Sequence, residues 1–87
     1  MKYHDEKEIA ARLVAELEDE LEGICSYDCL HKTLIEHEMY EAADIIEKIA
    51  SDEWRHAERL WRMLDDFEVE IPKKIDELWD KVEEIFE

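Results

Sequence analysis

Three residues combine ligand chemistry with an unexpected position: Glu20, Glu53 and His56. Each falls inside an otherwise apolar helical stripe, where the periodicity asks for a buried side chain. The first stripe runs Ala10, Leu13, Leu17, Glu20, Ile24, Tyr27, His31, Leu34. The second runs Met39, Ala42, Ile46, Ile49, Glu53, His56, Leu60, Met63, Phe67. A carboxylate alone in an apolar layer is costly unless a cation or an ion-pair partner compensates it. Glu53 and His56 are three apart, so on a helix they share a face at roughly 5–6 Å. A carboxylate oxygen and an imidazole nitrogen at that separation suit one metal ion. The Glu-x-x-His spacing alone says little in a chain with 27 acidic residues, since Asp28 and His31 repeat it. The stripe position carries the weight. A turn near residue 37 leaves Glu20 17 residues before it and Glu53 16 residues after it. The two carboxylates are therefore expected to face each other across an antiparallel pair. The competing reading is a buried salt bridge from Glu53 to Arg12 or Arg59, but neither arginine lies in a stripe.

Other reactive residues stand apart from this trio. Tyr27 lies two turns beyond Glu20 on the same face; it is either a core residue or a hydroxyl serving a ligand carboxylate or a redox step. His31 is 11 residues from Glu20, about 16 Å along a helix, too far to share the site, and reads as a satisfied histidine near the turn. His4 and His37 read as exposed terminus and turn residues. Cys25 and Cys29 are four apart on a helix with no second pair. That reads as two inert thiols in a reducing compartment rather than a disulfide framework. Trp54 and Trp61, seven apart on a flank of the second segment, read as interface packing.

The elements that must position the trio are helices. Gly23 and Pro72 are the only glycine and proline, and Glu, Lys, Arg, Leu, Ile and Ala dominate, as in long helices. Three are expected in a single domain spanning 1–87: helix one over about 5–35, helix two over about 39–67, helix three over about 73–86. Ala43, Ala50 and Ala57 form a row of small residues along the second that would let another helix approach closely. Gly23, inside the first, weakens it and marks close packing. The break between the first two, near 36–38, has neither Gly nor Pro. Pro72 suits the first turn of the third, whose Ile75, Leu78, Val82, Ile85 and Phe86 make an apolar face able to cap the hairpin or meet a neighbour.

Composition excludes several function classes. A formal charge of −16 on 87 residues disfavours nucleic acid, whose phosphates need Lys and Arg, and anionic membrane surfaces. It suits cations, which a dense acidic surface concentrates. No run approaches the roughly 20 apolar residues of a membrane span. The opening Met1-Lys2-Tyr3-His4-Asp5 lacks the apolar segment of a secretory leader, so the cytoplasm is the expected location.

One hairpin offers two Glu and one His and leaves an apolar face open, an aggregation risk in a monomer. Pairing two copies about a twofold axis closes a four-helix bundle. It also doubles the ligands to four Glu and two His, the set that di-metal carboxylate bundles use. Larger rings of dimers are open through the third helix.

The stretch from Glu20 to Tyr27 (ELEGICSY) resembles the first-helix motif of bacterioferritins and rubrerythrins, a Glu followed seven residues later by a Tyr. The stretch from Ala43 to Leu60, with Glu53 and His56, resembles the second helix of rubrerythrins, where those residues are iron ligands. With one helix pair rather than two, the chain looks like the half-length branch of the ferritin-like di-iron superfamily, the encapsulated ferritins. The resemblance covers about residues 10–67. It implies an all-α, ferritin-like hairpin plus a short C-terminal helix that completes its bundle as a homodimer, with two iron ions per dimer. Glu53 would bridge, Glu20 and His56 would be terminal ligands, and Asp19 and Glu22 would draw incoming metal. Members of that branch usually carry a C-terminal cargo peptide for an encapsulin shell; residues 83–87 do not resemble one.

The function expected from this resemblance is a di-iron ferroxidase, oxidising Fe(II) to Fe(III) with oxygen or peroxide for iron storage or detoxification. Two alternatives stand beside it. One is a rubrerythrin-like peroxide or oxygen reductase fed by an external electron donor. The other is a non-enzymatic helical interaction module. Manganese or zinc fits the same ligands.

Overall fold

In a computed structural model, the backbone is described for residues 2–87 and the side chains for residues 6–87; the side chain of His4 lies outside the described residues. The chain forms three helices and, among the described residues, no strand: α1 (Lys2–Glu36), α2 (Tyr40–Asp66) and α3 (Lys73–Ile85). The molecule measures 55 × 20 × 15 Å, the long axis being set by the 35 residues of α1 at about 1.5 Å each. Helices α1 and α2 form an antiparallel hairpin. Helix α3 runs back along α1, its Lys74 lying 3.2 Å from Glu18. None of the helices is long and apolar enough to cross a membrane among the described residues.

The hairpin closes through the row of small residues. Ala43, Ala50, Ala57 and Leu64 recur every seven residues, and all are buried, as are Leu17, Leu21 and Ile24 of α1. A seven-residue period keeps one seam of a helix against its neighbour, and alanines let the two backbones come close. The longer stripe on α2 does not fill this core. Met39, Ile49, Met63 and Phe67 are exposed, and Ala42, Ile46 and Leu60 are half-buried. The apolar residues of α2 serve two directions: the alanine row faces α1, and the stripe around Glu53 and His56 faces outward.

On the other flank, Trp54 and Trp61 pack within the chain's own fold. Their rings lie 4.7 and 4.3 Å from Trp79 of α3, and Trp54 stacks on Phe86 at 5.5 Å. Such ring pairs are worth about 0.5–1.5 kcal/mol each beyond burial. With Ile75 and Val82 buried, they hold α3 in place. The Lys74–Glu18 pair, largely exposed at its lysine, adds little. Pro72 sits at the N-cap of α3, with φ −57° and ψ 143°, rather than inside its first turn.

Two turns that contain no glycine end α1 and α2 in the same way. At the first, Met39 N–H donates to the Leu34 carbonyl and Glu38 N–H to that of Ile35; at the second, Val69 donates to Leu64 and Glu68 to Asp65. This is the Schellman motif, whose left-handed residue is usually glycine. Here it is Glu38 (φ 59°) and Glu68 (φ 57°). Each accepts a backbone conformation that an L-residue adopts at a cost of about 1–2 kcal/mol. Replacing Glu38 by Gly relieves that strain and loosens the unfolded chain, for a net gain of about 0.5–1 kcal/mol. Thermal unfolding of Glu38→Gly should show a midpoint a few degrees higher than that of the unsubstituted protein.

Candidate metal centre

The alanine seam sets the register of α1 against α2, and that register brings the trio together. Glu20 comes from α1, and Glu53 and His56 come from successive turns of α2. One ligand atom of each lies within 4.8 Å of the others. His56 Nδ1 is 3.5 Å from Glu20 Oε2 and 3.7 Å from Glu53 Oε1. Among the described residues, neither Arg12 nor Arg59 pairs with Glu53, so the salt-bridge alternative gives way to an ion pair with His56 alone.

Burial differs from the sequence expectation in degree. The side chains are 22% (Glu20), 27% (Glu53) and 53% (His56) exposed, not enclosed, because their stripe lies on the open face of the hairpin. One atom is nonetheless shut off from water. Glu20 Oε2 is buried and makes no hydrogen bond, alone in this among the described residues. Burial raises the Glu20 pKa, the negative charge of Glu53 raises it further, and His56 opposes both. Two carboxylates are thus held together with less compensation than they need. Hard oxygen donors with one imidazole, converging around an oxygen that makes no hydrogen bond, fit a first-row divalent cation such as Fe(II), Mn(II) or Zn(II).

The remaining candidates fall into place around this cluster. Asp19 and Glu22, which flank Glu20 in sequence, are exposed. Tyr27 is half-buried, and among the described residues its hydroxyl makes no hydrogen bond to Glu20 or Glu53. It lines a cavity of about 300 Å³ with Asp28, His31, Glu47 and Ser51, where α3 ends. His31 lies 3.6 Å from Glu47, a partner the sequence reading did not name. Cys25 is half-buried and Cys29 exposed, both as free thiols; burial pushes the Cys25 thiol up, away from the reactive thiolate.

Sequence reasoning also missed what Gly23 adjoins. A β-carbon there would meet Glu53 Oε2 at 3.8 Å. The available signal was a lone glycine three residues after Glu20, on the same flank of α1.

The family model described as Rubrerythrin matches residues 12–86. No curated protein and no solved structure matches the chain.

A raised carboxylate pKa has a definite consequence for stability. Folding favours the protonated form of Glu20, so its contribution is fully present below the ordinary carboxylate pKa. It is lost as pH rises through the higher folded-state value. Without metal, Glu20→Gln removes the charged form and should unfold at a higher temperature than the unsubstituted protein at pH 7. The difference should shrink toward zero as both are titrated into acid. Thermal melts in chelator across pH 4–8 (roughly the window bracketing a raised carboxylate) check this; a variant that is less stable at pH 7 would contradict it.

Proposed function

This chain belongs to the rubrerythrin family, and on that footing we propose that it is a di-iron ferroxidase whose centre is shared between two copies of the chain. The observation that carries the reading is the buried Glu20 Oε2, which makes no hydrogen bond and converges with Glu53 and His56 on an outward-facing apolar stripe. A cation answers the first feature. A second hairpin, laid on the same face about a twofold axis, answers the second and supplies the other half of the ligands.

In this reading Glu20, Glu53 and His56 of each chain would hold the metal, supplying two carboxylates and one imidazole. Fe(II) is the substrate: two ions give up one electron each, and oxygen takes the pair with two protons to leave hydrogen peroxide, or peroxide takes it to leave water. The protein's own part is to hold, orient and screen. Glu20 and Glu53 supply anionic oxygens that favour the more highly charged Fe(III). His56 supplies an imidazole nitrogen as the third donor. The exposed residues of the same stripe, Ile49 and Met63, would exclude water once covered by the second copy. The net charge of −16, with Asp19 and Glu22 beside the site, attracts the incoming cation.

The family match favours a second reading with the same ligands, a peroxide reductase that takes electrons from an external donor. The oxidant separates the two. Stopped-flow mixing of anaerobic, Fe(II)-loaded protein with oxygen or with peroxide follows Fe(III) formation. A ferroxidase oxidises added Fe(II) in excess over the ligand sites with oxygen, well above autoxidation in buffer. A peroxide reductase reacts much faster with peroxide and turns over only with a reductant. Glu53→Ala and His56→Ala should bring either reaction to the buffer rate; unchanged rates in both variants would contradict the assignment of these ligands.

A further inference from the structure

The chain's only glycine lies in the interior of α1, where glycine is among the least favourable residues for helix stability. Its φ is not positive, so the backbone does not require it. No neighbouring helix backbone crowds it either: within 4 Å, the one heavy atom that an added β-carbon would meet is Glu53 Oε2, at 3.8 Å. A close helix crossing, the usual reason for a small residue here, is therefore absent within the hairpin. What the missing side chain leaves free is the space beside one carboxylate, on the helix opposite the one that carries it.

Resting on the metal reading above, we propose that Gly23 is a positioning residue for Glu53: it keeps open the space through which that carboxylate changes its mode of ligation. At 3.8 Å a methyl group touches the Glu53 oxygen without clashing, so alanine fits the resting position. It blocks any movement of that oxygen toward α1 and removes water from one side of it. A carboxylate that would hold metal ions of changing charge would need that freedom. Glu20, one turn before Gly23 on the same helix, has its own oxygen buried and is less free to move. Glu53 is the ligand left to adapt, and Gly23 is the residue that lets it.

The test is Gly23→Ala, read on three observables beside the unsubstituted protein. The metal-free variant should unfold at a higher temperature, by about 4 °C or more, because alanine favours the helix. With Co(II) as probe, both proteins should bind metal with the same number of ions per chain, but the d–d absorption bands of the variant should shift, since they report ligand geometry. Fe(II) oxidation should slow by about ten- to a hundredfold, the usual consequence of disturbing what orients a ligand. A variant with raised stability and an unchanged Co(II) spectrum and oxidation rate would overturn the role given to Gly23 while leaving the metal site standing. Loss of the paired state with an unaltered Co(II) spectrum would overturn it too, making Gly23 a contact between copies. Failure of the unsubstituted protein to bind Co(II) would overturn the metal reading itself, and this inference with it.

Discussion

Two carboxylates pressed together with one histidine between them are the feature on which the rest of this molecule turns. Glu20 and Glu53 come from different helices and meet within 4.8 Å. Like charges at such a distance repel by a few kcal/mol at the effective dielectric of a protein surface. His56 offsets part of this. A protein of 87 residues has little stability to spare. Retaining such a contact at the centre of its longest helix pair makes sense when an ion neutralises it. The strain in the metal-free state and the affinity for a cation are then one quantity seen from two sides.

The two flanks of the hairpin divide the work. One is finished within the chain: α3 lies along it, and Trp54, Trp61, Trp79 and Phe86 close the gap between α2 and α3 through their rings. The other carries the ligands and keeps Ile49, Met63 and Phe67 exposed. An apolar strip interrupted at its middle by charged ligands has a simple use as a surface for a second, identical strip. Pairing would bury the apolar ends and join the ligands in one act, so metal binding and association would reinforce each other.

Much of this was legible in the sequence because helices write their faces with a fixed period. The positions of Glu20, Glu53 and His56 within their stripes, and the near-equal distances of the two glutamates from the turn, sufficed to predict that they meet. The alanine row was visible as well, but not its dominance: Ala43, Ala50 and Ala57 form the seam, and the larger stripe residues look outward. Stripe width alone does not say which part faces the partner helix and which a second molecule. The turns were legible in position but not in type. Glu38 and Glu68 occupy left-handed positions where glycine is the usual signal, so only the change of hydrophobic phase marked them. The pairing of Trp54 and Trp61 with Trp79 depends on where α3 lies, and that of His31 with Glu47 on how α2 is rotated against α1, neither of which a local pattern encodes. Gly23 was visible as an oddity, yet its meaning required knowing which atom of the opposite helix lies beside it.

Native mass spectrometry of the protein loaded anaerobically with Fe(II) tests the central claim most directly. A species of two chains carrying two iron ions, which loses its iron when Glu53 is replaced by alanine, is the result this account predicts. A monomer that holds iron by itself, or a dimer that binds none, would contradict a centre assembled from two copies of Glu20, Glu53 and His56.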